Sequence, residues 1–489
     1  MMKVHAVFRK LFYSEGKTTL PFGICFVLFL INFFNAMTTT SVFSYLPQLV
    51  KDYGSTEVDV GRKTGIIASS LFIARIFSSL VWGYISDKYG RKLSLLLTGA
   101  SVVISTLMFA FTFNYPWAAV VRFLQGLSMG VLVITKAYMA DICDDTNLAA
   151  GLSVIFSGYN IGLVIGPSMG GYLVFPVEKY NNIFKKNSFF ERFKIFIPNI
   201  IIVIGMTVSL VASIFFLPKR VVEDKSLYSG TNNDDNCNDY GEIISNLAES
   251  DPNRLKTSKF KKYWIMFGTT RLAKLLRNKE FLISSVIFGF FTMFTDGFEE
   301  LFPVFASTST EYGGLGMSTS EIGLVYLTVS VAMLISQILL IEKIIHKFGS
   351  KKTFIVSSLL FGAMMPLLPL IVFIKNTTVL WFILWISEVV VSVSMMSGFT
   401  AANILINNSV GSDLLGLANG VAMSVSCIGR SVGIFGFASI YSWSLKNKER
   451  PFPFNQYFSF YFILVVIILV SLTSSFIPVS LNKRKIELQ

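Results

Sequence analysis

Apolar runs of about twenty residues, separated by short polar stretches, recur along the whole chain. Twelve of them predict helices, over 20–46, 65–85, 93–113, 117–138, 149–174, 195–217, 281–305, 318–341, 353–374, 378–400, 416–441 and 456–477. Each is near the length an α-helix needs to cross about 30 Å of hydrocarbon. The first run is too long for a signal-peptide core and no small-residue cleavage site follows it, so it is expected to remain as a span. Between the sixth and seventh runs the pattern stops. Residues 218–280 open with a polar, Asn- and Asp-rich stretch of linker composition. They close with KTSKFKKYWIMFGTTRLAKLLRNK, which reads either as an amphipathic helix on an anionic lipid surface or as a solvated lead-in to span seven. The predicted fold is an all-α membrane protein with twelve transmembrane helices in two six-helix pseudo-symmetric bundles. Its parts are a tail (1–19), a first bundle (20–217), a central loop (218–280), a second bundle (281–477) and a tail (478–489).

Composition agrees with a bilayer as solvent. Of 489 residues, 53% are hydrophobic and 15% charged, against about 25% charged in a soluble protein. The mean hydropathy is +0.62. The net charge of +13 lies mostly in loops, so it reports topology rather than nucleic-acid binding. With the N-terminus in the cytosol, 26 Lys and Arg fall on the cytosolic side and 12 opposite, which favours both termini inside. The loop 175–195, with Lys179, Lys185, Lys186, Arg192 and Lys194, runs against that trend. The four cysteines, at 25, 143, 237 and 427, form no CxxC pair, and both histidines, His5 and His346, lie outside the spans. No disulfide framework, zinc knuckle, intramembrane His relay or cofactor is expected.

The short loop GYISDKYGRK joins spans two and three. Gly83 is expected to let a neighbouring helix approach closely, and Gly90 to permit the tight reversal. Lys88, Arg91 and Lys92 hold the loop on the cytosolic side. Asp87 is placed to pair with Arg91 or to accept from a neighbouring helix N-terminus, a contact able to latch one conformation. Span five carries GYNIGLVIGPSMGG. Gly158, Gly162, Gly166 and Gly170 recur every fourth residue and form a packing groove, beside Pro167 and Gly171. Span four carries VVRFLQGLSMG, in which Arg122 needs a partner, a water-filled cavity or a route to the interface.

The spacing G-x3-D-x2-G-R-K closely resembles the loop signature of the major facilitator superfamily. G-x3-GP-x2-GG resembles the span-five motif of that superfamily's antiporters, and R-x2-QG its span-four motif. The resemblance implies two rocking halves, export coupled to inward proton flow, and a role for Arg122 in proton transfer. FSYLP (43–47), Arg75 before Trp82-Gly83, Lys136-Ala137-Tyr138 with Asp141, FPVFA (302–306) and GGLGMSTSEIG (313–323) together resemble the zinc-induced-facilitator-like branch, near the twelve-span drug:proton antiporters. The second-half repeat of the loop signature, EKIIHKFGSKK (342–352), lacks the acid.

Asp296, Glu299 and Glu300 share one face of span seven, either as buried proton carriers or, if the span ends early, facing the outer water. Glu388 is mid-span in helix ten and Arg430 mid-span in helix eleven. A pairing of Arg430 with Glu388 or with a span-seven acid is expected. Lys136 is placed to meet an anionic substrate or, by preference, to pair with Asp141, Asp144 or Asp145. Arg75, Asn160, Asn35, Tyr45 and Gln337 are candidate cavity lining. The expected activity is secondary transport of a small organic solute by proton antiport, in a vacuolar or plasma membrane of a eukaryote, by a monomer whose partners are solute, protons and lipid. The alternatives are a uniporter or proton symporter of the same fold, or a transport-inactive receptor or scaffold. An enzyme is not expected, since HExxH and P-loop patterns are lacking and no His lies within the spans.

Overall fold

The computed structural model describes residues 20–143, 147–186, 188–218, 271–411, 414–447 and 449–482. The tail 1–19, Asp144, Asp145 and most of the central loop lie outside the described residues; of its basic segment, the helix Arg271–Arg277 is described.

Twelve helices correspond to the twelve runs. In the first half they are α1 (Phe22–Thr40), α2 (Glu57–Tyr89), α3 (Arg91–Ala110), α4 (Tyr115–Leu127 and Val131–Ile142), α5 (Leu148–Leu173) and α6 (Phe196–Phe216). In the second they are α7 (Lys279–Ser307), α8 (Thr319–Ser336), α9 (Ser350–Met364), α10 (Thr377–Asn408), α11 (Leu415–Lys446) and α12 (Phe458–Ser474). A π-turn, Gln337–Ile341, continues α8 into Glu342–Phe348. Among the described residues, ten helices are long and apolar enough to cross a membrane, and α2, bent by 41° between Ser78 and Val81, makes eleven. The seventeen-residue α12 is shorter. The bundle surface is itself apolar: Phe77, Ile104, Val208, Phe382 and Leu469 are exposed, as contact with lipid requires.

Several span boundaries differ from the sequence pattern, among them the ends of α9, at Met364 rather than 374, and of α10, at Asn408 rather than 400. The first span ends at Thr40, not 46, and Leu46–Asp52 is a separate helix started by Pro47. Its apolar residues Leu46, Leu49 and Val50 are buried against protein, so hydropathy alone did not separate them from lipid-facing ones. Helix α2 begins at Glu57 rather than 65, because its first two turns carry polar residues beyond the hydrocarbon. Helix α4 is interrupted at 128–130.

The two halves repeat each other at their loops. Gly90 (φ +90°) ends α2 and Gly349 (φ +79°) ends the α8 extension, both at positive φ. Two residues on, Lys92 donates to the carbonyls of Ile214 and Leu217 at the end of α6. Lys351 likewise donates to Ser475 O just past α12, at 2.7 Å. His346 stands where Asp87 stands in the first half.

Helix starts at residues 22 and 279 define a terminal face; the opposite face is the far face. One apolar core fills the second half and continues into the far ends of the first through Val42, Leu49, Val60, Phe72, Phe109 and Val174. The terminal part of the first half has a separate core, including Leu28, Leu95, Ile134, Met206 and Leu217. The halves are therefore closed together on the far face. On the terminal face a Cβ added at Gly83, Gly416 or Gly420 would meet nothing within 4 Å. The close approach expected at Gly83 is thus absent in this conformation, because the halves diverge there.

Candidate functional site

Far-face closure is built from glycine. Gly61 and Gly65 of α2 lie so near α11 that an added Cβ would come within 2.7 Å of Ala438 O and 2.9 Å of Ala438 Cβ. Gly171 at the end of α5 packs on Thr319 O and Gly323 of α8. Arg62 N donates to Ser442 Oγ at 2.7 Å, and Lys446 pairs with Asp59 at 3.0 Å. Lys51 donates to Ser307 O at 2.6 Å and pairs with Glu57 at 2.8 Å. Asp59→Asn removes one exposed cross-half ion pair, so unfolding stability should change by under about 1 kcal/mol. Labelling of a cysteine placed at the far seam should rise, because that pair forms only when this face is shut.

The same face explains the loop that opposed the charge trend. Lys194 pairs with Asp52 and, at 3.2 Å, with Glu178, while Lys179 donates to Gly171 O. Those two cations are locally satisfied and say little about topology.

Below this seam the intramembrane charges converge. Gly429 and Gly433 of α11 bring it against α7: an added Cβ would lie 2.0 Å from Gly289 O and 1.9 Å from Met293 O. That proximity sets Arg430 against Asp296 at 3.3 Å, with side chains only 16% and 17% exposed. Arg430 Nε also donates to Ser426 Oγ at 3.2 Å, and its guanidinium lies 5.7 Å from the Phe72 ring of the other half. The acids sit within α7, which runs on to Ser307, so they do not face outer water at a helix end. Glu300 is 2% exposed and neither carboxyl oxygen has a partner. Glu388 is 6% exposed, with Oε1 unpartnered. The Tyr326 hydroxyl, on α8, donates to Glu299 O at 2.8 Å and lies within electrostatic reach of Glu299, Glu300 and Glu388.

Arg122 is fully buried rather than turned to the interface. Its guanidinium donates to Thr38 O (3.4 Å), Thr39 O (3.3 Å) and Gln125 Oε1 (3.0 Å), and faces the Phe109 ring at 5.7 Å. Thr38 and Thr39 are in the last turn of α1, whose carbonyls lack helical partners and whose dipole end is negative. Glu300, from the other half, is within electrostatic reach of it.

Arg75 is half-buried, with Lys136 and Asp296 as electrostatic neighbours. Of the acids expected to pair with Lys136, Asp141 is taken by Arg91 at 3.1 Å, and Asp144 and Asp145 lie outside the described residues. The Lys136 ammonium instead lies 4.6 Å from the centre of the Phe156 ring. Asn160 and Gln337 are half-buried. Asn35 Oδ1 is buried without a partner, and Tyr45 is fully buried at the corner between α1 and Leu46–Asp52.

The span-five glycines form a groove for α1. Added Cβ atoms would lie 2.5 Å from Phe29 O at Gly158, 2.3 Å from Phe33 O at Gly162, 2.4 Å from Thr40 Oγ1 at Gly166 and 2.0 Å from Ser41 O at Gly170. The Pro167 carbonyl accepts from Ser44 Oγ at 2.7 Å. At the terminal face Arg91 joins Asp87 and Asp141 and donates to Ser86 Oγ at 3.0 Å.

Sequence reasoning overlooked the glycine pairs 61/65 and 429/433, and the Tyr326 hydroxyl. The G-x3-G spacing was present in both pairs, whereas nothing marked Tyr326 as distinct from an interfacial tyrosine. Among the described residues, no three His, Cys, Asp or Glu side chains are placed to hold a metal ion together.

Residues 28–434 match the family model described as Major Facilitator Superfamily. The chain is 29% identical to Protein ZINC INDUCED FACILITATOR-LIKE 1 of Arabidopsis thaliana, over 94% of this chain and 92% of that protein. It is 28% identical to a probable peptide/nitrate transporter of the same plant, over 92% and 91%. It is 25% identical to a major facilitator superfamily multidrug transporter of Aspergillus fumigatus, over 88% and 81%. Among solved structures, a D-xylose-proton symporter superposes with a TM-score of 0.70 at 17% identity, covering 95% of this chain and 99% of that one.

Proposed function

The chain belongs to the Major Facilitator Superfamily, and on that premise we propose that this transporter exchanges a small organic solute for protons, by alternating access between its two halves. The observation that carries the exchange is Glu300 and Glu388: buried carboxyls with unpartnered oxygens, beside the cluster of Arg430, Asp296 and Arg122. An ionised carboxyl without a donor is costly out of water, and a bound proton removes that cost. Rocking the halves changes which groups and how much water each acid meets, so proton binding and conformation are linked. The Asp87–Arg91–Asp141 cluster on the open face serves as the latch of the opposite state, its Asp87 side chain being 70% exposed here. Export is supported by a relative from Aspergillus niger that is named an efflux pump. The reading includes cytosolic termini, a monomer, and a vacuolar or plasma membrane of a eukaryote.

Sealed proteoliposomes with an imposed pH gradient and a panel of labelled solutes test it. Gradient-driven solute movement against the proton flow is expected, and Glu388→Gln should abolish the coupling while leaving the fold intact. Solute movement that ignores the gradient in wild type would replace antiport with a uniporter, and movement along the proton flow would make it a symporter.

A further inference from the structure

Helix α7 has a gap in its own hydrogen bonding. Pro303 lies inside it, near its end at Ser307. In an α-helix the carbonyl of residue 299 accepts from the amide of residue 303, and proline has no amide hydrogen to give. The carbonyl so released is that of Glu299, next to Glu300. It does not go without a donor, because the Tyr326 hydroxyl of α8 reaches it at 2.8 Å. The Tyr326 ring stands edge-on to Phe302, with centroids 6.0 Å apart and planes at 89°. The phenol is thus fixed by packing along its ring and by the carbonyl at its tip.

Different partners hold α7 on the two sides of that gap. Before it, α7 belongs to α11: Asp296 pairs with Arg430 at 3.3 Å, and an added Cβ at Gly297 would lie 2.5 Å from Phe437. Beyond it, Ser307 O accepts from Lys51 of the first half at 2.6 Å, and Val304 Cγ1 lies 3.5 Å from a Cβ added at Gly61 of α2. Phe305 also packs on Phe460 of α12, with centroids 5.1 Å apart. The tip of α7 is therefore shared between the halves, while the rest of the helix is held by the second. A helix whose ends follow different bodies bends where a backbone bond is already missing.

We propose that Tyr326 is a positioning residue of the transport cycle: its hydroxyl supplies the hydrogen bond that Pro303 withholds from Glu299 O, keeps the tip of α7 seated on the far seam, and lets it go as the far face opens. Glu299 and Glu300 ride on the turn that this bond fixes, so its release re-aims both acids as the halves move. The proposal rests on the alternating access of the reading above and not on which solute or ion is exchanged. Its readout needs neither solute nor gradient, so the two fail separately.

The test uses full-length protein in lipid nanodiscs, with its four native cysteines replaced by alanine and with Ser442→Cys as a reporter. Ser442 is 2% exposed at the far seam, where its hydroxyl accepts from Arg62 N at 2.7 Å. The rate at which a water-soluble maleimide labels this cysteine reads far-face opening. Tyr326→Phe keeps the ring and removes only the hydroxyl; it is expected to speed labelling about threefold to tenfold, the effect of deleting one hydrogen bond from the closed state. Pro303→Ala gives residue 303 an amide hydrogen, so it should slow labelling. In the Pro303→Ala background Tyr326→Phe should change the rate by less than about twofold, because the carbonyl then has a donor of its own. An unchanged rate in Tyr326→Phe overturns the proposal. So does an equal acceleration with and without Pro303, which would mean that the hydroxyl acts on some other group. Pro303→Ala alone labelling as fast as its parent, or faster, overturns it independently of how Tyr326→Phe folds.

Discussion

Arg430→Met is expected to abolish solute transport and to destabilise the purified protein by about 3–5 kcal/mol, the cost of leaving one member of a buried ion pair without its partner. The argument rests on geometry. Arg430 and Asp296 are 3.3 Å apart and each more than four-fifths covered, so little water is available to solvate the survivor. Adding Asp296→Asn to Arg430→Met should recover most of the stability without recovering transport. A double-mutant cycle by thermal or denaturant unfolding in detergent measures the coupling. Losses in the two single variants that simply add in the double variant would mean that the pair contributes no coupling. The swapped variant, Arg430→Asp with Asp296→Arg, should restore stability further. If it restores transport as well, the pair works through its geometry rather than through the identity of the acid on α7.

The second large effect is expected at Gly170. A methyl group there would sit 2.0 Å from the Ser41 carbonyl oxygen, which is backbone and has no rotamer to yield. Gly170→Ala should therefore push α1 away from α5, lower stability by about 1–3 kcal/mol and reduce the folded yield. Gly83→Ala is the contrast. Nothing lies within 4 Å of its added Cβ, and alanine is the better helix former, so stability should be unchanged or rise by up to about 1 kcal/mol. If Gly83→Ala nevertheless slows transport, the halves close on that face in the other conformation and need the missing side chain there. Unimpaired transport would reduce Gly83 to a helix residue with no role in the latch. Size-exclusion recovery, unfolding and transport rates together separate these outcomes.

Much of the architecture was legible because lipid imposes a simple rule. Every span must be a helix of roughly fixed length, so twelve apolar runs gave twelve helices and a long polar stretch gave the division into halves. The same rule misled at residues 41–52, where a second helix is buried in protein and is as apolar as one buried in lipid. Gly90 was legible because a reversal between two spans with no spare residues needs positive φ, and its φ is +90°. The span-five groove was legible because four glycines at fourfold spacing have one face to share. Adjacency in sequence offered Asp141 to Lys136, while the fold brings Arg91 to that acid from fifty residues away.

The sequence by itself determined the all-helical membrane class, the order of the spans, which residues are small enough for close packing and which charges the membrane must hide. These follow from local composition and period, since solvent, hydrogen bonding and sterics act on each segment separately. Tertiary structure alone decided which charges meet: Arg430 with Asp296, Arg122 with the end of α1, and Glu300 and Glu388 with unpartnered oxygens. It also decided that the halves are closed on the far face and open on the terminal one. Both depend on how helices distant in sequence cross, and that is set by backbone approach at glycines such as Gly429 and Gly433, whose partners no local pattern names.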